Sequence, residues 1–330
     1  MTYQQTMVSQ FLSHAGIELP IICGPMYPCS NPELVAAVSN AGGLGVVQPV
    51  SLTFVHGYEF REGLRFIQSL THKPIGMNAL IEQSSKRYKE KMQQWIDIAL
   101  EEGVRFFITS LGKPDWVVDK VHAAGGVVYH DVTETKWARK GLDAGVDGLI
   151  AVNNCAGGHA GGLSPEQLLS DLQSFGVPVV CAGGVSGPNE FMDALHQGYA
   201  GVQMGTRFIA SHECKVSEDY KQAIVQAKAE DIVLSLKLTG VPVSVINTDY
   251  VKKTGTHVGP IVRWLLQGRK TKHLMRMFYT LSSLWKLKSA SQVKGERSGY
   301  LQAGKSVEGV TAVSSVAEIM MEFSECYKSE

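Results

Sequence analysis

One histidine in this sequence stands where it could do chemistry. His159 lies in the run Asn153-Asn154-Cys155-Ala156-Gly157-Gly158-His159-Ala160-Gly161-Gly162, with a glycine pair before it and another after Ala160. Glycine lets backbone come close to a flat ligand while one imidazole projects from the loop. A neutral imidazole can accept a proton, and an imidazolium can stabilise a developing anion. The plainer reading is a surface histidine on a Gly-rich turn, and the position of the loop in the chain tips the balance toward function. A second constellation is Gly183-Gly184 together with Gly205-Thr206. Phosphate needs several backbone N–H donors at close approach, which glycine permits, and a hydroxyl such as that of Thr206. Either pair alone reads as a structural junction; both together favour phosphate. His130 has two equal readings, ligand contact or filler. Cys155 has no neighbour that would lower its pKa and reads as inert.

The elements that must position these residues are short apolar runs, each followed by a helical pattern. They are 19–23, 45–47, 74–78, 104–109, 126–130, 148–152, 177–182 and 201–204. Most are continuous β-branched or aliphatic stretches without strict alternation, as in strands buried on both faces of a parallel sheet. Between them, Asn31-Pro32-Glu33, Ser164-Pro165-Glu166 and Gly187-Pro188-Asn189-Glu190 read as helix starts. Gly42, Gly103, Gly125 and Gly145 read as helix ends. Eight such units within about 210 residues predict a (β/α)8 TIM barrel. A doubly wound open sheet is the weaker alternative, because no Gly-rich dinucleotide fingerprint opens the first unit.

In such a barrel the site is built from the loops that follow the strands. Those loops hold Gly24-Pro25-Met26, Asn78, Thr109-Ser110, His130, the His159 loop, Gly183-Gly184 and Gly205-Thr206. Loops seven and eight are where barrels usually build a phosphate site. After Phe208 the strand rhythm stops, and an inserted, mainly helical and basic lid is expected over 213–296. The barrel is then expected to comprise 1–212 and 297–330, with a closing helix within 310–327.

Composition bounds the function. The 330 residues, 44% hydrophobic and 19% charged, suffice for a barrel core. A formal net charge of zero excludes a general attraction to nucleic acid. The first residues lack the basic start and apolar run of a secretory signal, and six scattered cysteines without a CxxC pair read as reduced thiols. A cytoplasmic enzyme without a metal site is the expectation.

Several motifs together resemble the nitronate monooxygenase (2-nitropropane dioxygenase-like) family. Pro20-Ile21-Ile22-Cys23-Gly24-Pro25-Met26 and the stretch from Pro32 to Gly45 look like its opening. Ala156-Gly157-Gly158-His159-Ala160-Gly161 resembles its catalytic-histidine motif. Ala182-Gly183-Gly184-Val185 and Val202-Gln203-Met204-Gly205-Thr206-Arg207-Phe208 resemble its FMN-phosphate motifs, and Ala303-Gly304-Lys305 its late Ala-Gly-Gln segment. The resemblance implies bound FMN and His159 as the catalytic residue. It implies a flavin site drawn from Pro25, Met26, Asn78, His130, Ala156, Gly157, Gly158, Ala182, Gly183, Gly184, Gln203, Met204, Gly205 and Thr206. The reaction implied is oxidation of an alkyl nitronate by O2 to a carbonyl compound and nitrite. The same superfamily includes NAD(P)H-dependent enoyl-thioester and quinone reductases, so NAD(P)H stands as a possible electron donor. Two departures fall on the substrate side: Cys155 where many members carry Glu, and Lys305 where many carry Gln.

Charge is uneven. From Tyr250 to Lys305 there are twelve Lys and Arg against the single acid Glu296, a net +11. The plainest reading is a solvated lid. A large anionic substrate or coenzyme, including an acyl-CoA or acyl carrier protein, comes second, and an anionic membrane surface third.

Overall fold

The computed structural model describes residues 2–81, 86–259, 282, 284–289, 291 and 299–329. Eight parallel strands close into a barrel: β1 (Ile21–Cys23), β2 (Leu44–Val47), β3 (Ile75–Leu80), β4 (Phe106–Ser110), β5 (Val127–Val132), β6 (Gly148–Val152), β7 (Val179–Ala182) and β8 (Gly201–Met204). Each corresponds to one of the eight apolar runs. Closure is made by β1, which pairs with β2 through Ile22 and Leu44 and with β8 through Ile22 and Gln203. Side chains alternate across the barrel wall. Ile22, Val46, Ile108, Tyr129, Ile150 and Val180 form one buried cluster inside the barrel, while Cys23, Val47, Phe107, Val128, Leu149 and Val179 join the layer beneath the helices. Because both faces are covered, the strands are mostly apolar, with polar residues such as Asn78, Ser110, Asp131 and Gln203 toward their C-terminal ends.

The outer helices are α2 (Pro32–Asn40), α3 (Phe60–Leu70), α4 (Lys86–Glu101), α5 (Asp115–Ala123), α6 (Thr135–Leu142), α7 (Pro165–Leu172) and α8 (Pro188–Gln197). They follow α1 (Tyr3–Ala15), which precedes the barrel. Helix α7 starts with a reciprocal cap between Ser164 and Gln167, and the α8 start is closed by Glu190 accepting from the Gly187 N–H at 2.9 Å. Asn31 departs from its expected capping role. Its side chain makes no cap hydrogen bond; it accepts from the Lys215 N–H at 3.0 Å and donates to the Glu213 carbonyl at 2.9 Å. A tertiary tie thus outcompetes the local cap, which still has Pro32 in the first turn.

After β8 come α9 (Thr206–Ile209), α10 (Glu218–Gln226), strands β9 (Ile232–Ser235) and β10 (Val243–Ile246), and α11 (Asp249–Thr254). The antiparallel β9–β10 pair corrects the expectation that this stretch has no strand rhythm. Its signal was present: two four-residue runs rich in β-branched and aliphatic side chains, separated by Gly240 and Pro242. Leu238, Val243, Val245, Val251, Leu287 and Tyr300 form a separate buried cluster here. The expected helix-like run 274–288 lies outside the described residues except for 282 and 284–288, which are helical. The last helix, α12 (Val316–Lys328), completes the eighth unit. It packs on α2 and α8, with Phe191 and Phe323 edge-on at 5.5 Å.

Helix α1 stops the N-terminal end of the barrel. Phe11, fully buried, stands 5.7 Å from the Tyr129 ring and 6.3 Å from that of Phe106. A side chain on Gly201 would strike the Phe11 ring at 2.5 Å, so the strand there has shed its side chain to admit the phenyl group. His14 Nδ1 lies 3.1 Å from the Tyr129 hydroxyl. Among the described residues no helix is long and apolar enough to cross a membrane, and all six cysteines are free thiols. Phe11→Ala opens a cavity at this plug and is expected to cost about 3–5 kcal/mol in urea unfolding. Tyr3→Ala, exposed on the same helix, should cost under about 0.5 kcal/mol.

Candidate active site

Closure around β1 gathers the loops after β1, β6, β7 and β8 into one arc at the C-terminal end. Gly183 and Gly184 have φ of +116° and +90°, a region that L side chains rarely enter. A Cβ on Gly183 would lie 2.5 Å from both the Ala156 nitrogen and the Asn153 Oδ1. The loops after β6 and β7 are therefore in backbone contact. Asn153, fully buried, fastens them: its Nδ2 donates to the Gly183 carbonyl at 2.9 Å and its Oδ1 accepts from the Cys155 N–H at 2.8 Å. The sequence placed Asn153 in the loop without a role; what it does depends on β6 and β7 being neighbours.

The segment 303–305 completes the arc. Gly304 fits so tightly that a Cβ would meet the Cys155 carbonyl oxygen and the Gly157 nitrogen at 2.6 Å each. Thr206 Oγ1 accepts from the Gly304 N–H at 2.9 Å, leaving its own hydroxyl proton to donate. Lys305 N–H donates to the Cys155 carbonyl at 2.9 Å while the residue is exposed. Burial raises the Cys155 thiol pKa and the Lys305 charge only partly opposes this, as fits an unreactive thiol. Met26 lies over Gly205, where a Cβ would stand 3.1 Å from its Sδ, and Gln203 packs beneath Gly24. Met204 turns its side chain outward into the layer beneath the helices, so only its backbone borders the site, where its carbonyl accepts from the Gly24 N–H at 2.9 Å. Pro25 is half-buried beside Met26; Ala156 and Ala182 are buried.

The inner mouth is polar. Asn78 donates to the Ile108 carbonyl at 3.2 Å and to Ser110 Oγ at 3.3 Å, and Ser110 donates to Asp131 Oδ2 at 2.7 Å. Burial raises the Asp131 pKa to about 6, with the Ser110 hydrogen bond opposing. Its other oxygen, Oδ1, is buried without a hydrogen-bond partner, as is Gln203 Oε1. Two such acceptors inside a barrel mouth fit a ligand that carries N–H or O–H donors. The sequence placed Ser110 in the loop after β4, but Asp131 was passed over because the apolar run there stops at His130.

His130 itself does not face the mouth. Strand alternation turns Tyr129 and Asp131 inward and His130 outward, where its ring would be 3.1 Å from a side chain on Gly141 of α6. Its Nδ1 lies 2.8 Å from Thr109 Oγ1, and burial lowers its pKa to about 4, so it is a neutral core histidine.

His159 is exposed to solvent at the rim, yet the protein around it lowers its pKa by desolvation. Its Nε2 lies 3.1 Å from Thr239 Oγ1, and the Thr239 hydroxyl donates to the Val241 carbonyl at 3.0 Å. Gly158, next to it, accepts from the Ser244 N–H of β10 at 2.8 Å. Among the described residues no group of three His, Cys, Asp or Glu could hold a metal ion. A depression bordered by His14, His72, Lys73 and Arg105 lies at the opposite end of the barrel, among the strand starts.

The glycine-lined loops, the polar mouth with two unmet acceptors and the rim histidine all lie at the C-terminal end of a closed (β/α)8 barrel. The chain belongs to the nitronate monooxygenase family, whose sequence profile matches residues 9–325. Members of this family are in general flavin-dependent. A carboxyl-CoA dehydrogenase of Rhodococcus jostii, (3aS,4S,5R,7aS)-5-hydroxy-7a-methyl-1-oxo-octahydro-1H-indene-4-carboxyl-CoA dehydrogenase, is 33% identical over 72% of the chain. Its Mycobacterium tuberculosis counterpart is 29% identical over 72%. The match spans 65% and 66% of the lengths of these two relatives, just under two thirds. A probable nitronate monooxygenase of Staphylococcus saprophyticus is 28% identical over 79% of this chain and 84% of its own. Among solved structures, FabK from Thermotoga maritima superposes with a TM-score of 0.80 at 26% identity, covering 97% of this chain and 96% of that one.

Gly183→Ala should drive backbone against Asn153 and Ala156 and weaken flavin retention about 10- to 100-fold. Flavin absorbance per protein after desalting reads this. Gly162→Ala, which meets nothing within 4 Å, should retain the parent's content. Because burial favours the neutral acid, the Asp131 contribution to stability is complete below the ordinary carboxylate range and is lost as pH rises through about 6. Flavin-free Asp131→Asn should therefore gain stability relative to the parent between about pH 4 and 7. A difference that stays flat across that range would show that this carboxyl does not titrate in a buried setting.

Proposed function

We propose that this chain is an FMN-dependent oxidoreductase that acts next to the carbonyl of an acyl thioester, a CoA or acyl-carrier ester, with His159 as the proton carrier. The observation that carries this reading is the placement of His159: an imidazole exposed at the rim of the barrel mouth, its Nε2 3.1 Å from Thr239 Oγ1, with desolvation by its surroundings lowering its pKa. Adding or removing hydrogen across a Cα–Cβ bond beside a thioester moves one proton, and a neutral imidazole is suited to carry it. The CoA esters in the names of the two dehydrogenase relatives and the +11 segment between Tyr250 and Lys305 support the same class of substrate. NADH or NADPH is the proposed electron partner when the reaction runs as a reduction.

The residues present fit FMN. Gly183, Gly184, Gly205 and the Thr206 hydroxyl would hold its phosphate, Met26 and Asn78 would border its ring, and Gln203 and Asp131 would receive its donors. When bound, the flavin supplies the two-electron chemistry. This chain supplies position, a proton carrier and exclusion of water from the mouth. Cys155 and Lys305 lie on the substrate side. Residues 213–296, in our reading, are an insertion in the eighth unit that roofs this end of a barrel made of 1–212 and 297–330.

A second reading, oxidation of alkyl nitronates by O2, is favoured by the family profile and by the Staphylococcus relatives. A nitronate is already deprotonated at carbon, so it needs an anion partner more than a base. The exposed Lys305, on the substrate side, supplies such a partner.

Anaerobic stopped-flow absorbance separates the two readings. The yellow protein is mixed in turn with butyryl-CoA, with NADH or NADPH followed by crotonyl-CoA, and with propyl-2-nitronate. Bleaching by butyryl-CoA, or by a nicotinamide with reoxidation by crotonyl-CoA, is the expected result. Bleaching by the nitronate alone, with the thioesters and nucleotides inert, would overturn it in favour of the monooxygenase. His159→Ala should slow the thioester step about 10²- to 10⁴-fold; an unchanged rate would remove the histidine from the mechanism.

A further inference from the structure

From the contacts around the rim, we infer that Thr239 is a positioning residue for His159, fixing which imidazole nitrogen carries the proton to and from substrate. The inference rests on the reading of His159 as the proton carrier and adds a residue from outside the barrel's own loops. Thr239 lies in the turn between β9 and β10, beside the fully buried Leu238 that anchors this turn in its own apolar cluster. Its hydroxyl has one proton. The Val241 carbonyl, 3.0 Å away, can only accept, so the proton is directed there, and the Val241 N–H donates back to Oγ1 at 3.3 Å. The remaining lone pair faces His159 Nε2 at 3.1 Å. A lone pair can be met only by an N–H, so Nε2 is the protonated nitrogen of the neutral ring and Nδ1 is the basic one.

The ring is held from a second direction. Ser244 of β10 donates to the Gly158 carbonyl at 2.8 Å, so consecutive residues of the histidine loop are gripped by the same two-stranded unit. Gly158 has φ of +66° and open space around it. Without that grip the loop is free to swing, and the imidazole loses both its orientation and its fixed tautomer. Thr239 touches neither the flavin cradle nor the polar mouth; it acts through His159.

The test uses the flavin-loaded protein and three variants: Thr239→Val, which keeps the shape without the hydroxyl, Thr239→Ser, which keeps the hydroxyl, and His159→Ala for assignment. An imidazole N–H held in a hydrogen bond exchanges slowly enough with water to give a proton NMR signal, and ¹⁵N shifts tell Nε2 from Nδ1. The expected result is an Nε2–H signal in the parent and the serine variant, lost in Thr239→Val and His159→Ala. Bleaching by butyryl-CoA should slow about 3- to 10-fold in Thr239→Val, with half-saturation unchanged, and recover in Thr239→Ser. An Nδ1–H signal in the parent, or an Nε2–H signal that persists in Thr239→Val, would overturn the inference. So would loss of the signal with no change in rate. Full activity in His159→Ala would instead strike at the proton-carrier reading and leave the N–H result standing.

Discussion

Everything at the working end depends on the hydrogen bonds that close the barrel through β1. Ile22 pairs with Leu44 on one side and with Gln203 on the other, so the first strand adjoins the last. That closure sets Gly24 against Gln203 and Met26 against Gly205, although some 180 residues separate them along the chain. It also fixes the direction of every side chain in the wall, since parallel partners point the same way. Had the sheet stayed open, the glycines after β7 and β8 would lie at an edge, away from the loop after β1.

Within the closed ring, glycine works by absence. Gly183 and Gly304 are sites where two backbones meet with no room for a methyl group. Asn153 converts that contact into a hydrogen-bonded joint, and Thr206 does the same for the 303–305 segment. A cradle held by backbone on several sides is rigid, and rigidity is what a site needs in order to present donors without reorganisation. Opposite it, the Asn78–Ser110–Asp131 chain leaves one carboxylate oxygen unmet. An unpaired buried acceptor is costly in an empty barrel, and this cost is relieved when a ligand brings a donor.

The described segment after β8 is tied to the barrel rim. Its β9–β10 pair has an apolar cluster of its own and reaches back to the histidine loop through Ser244 and Thr239. His159 thus sits between two separately packed clusters: the barrel rim, which supplies its loop, and the two-stranded unit, which contacts the loop and the ring. Asn31 shows the same coupling just after α9, giving up a helix cap to bind Glu213 and Lys215.

The sequence by itself determined the barrel, the helix ends and the place of the glycine loops, because apolar runs, Pro starts and Gly stops are local signals. It also carried the histidine motif and the family resemblance. Tertiary structure decided which residues of those strands face the mouth. A run such as Val127 to Val132, buried on both faces, is apolar or half-polar all along, so its pattern does not reveal which side is inside. The sequence offered His130 and passed over Asp131, and only the alternation imposed by the closed wall sends one under α6 and the other toward the barrel mouth. The contacts of Asn153, Thr239 and Gly304 were hidden for the same reason: each meets a partner brought near by closure or by the β9–β10 pair, and no local pattern encodes a contact between distant segments.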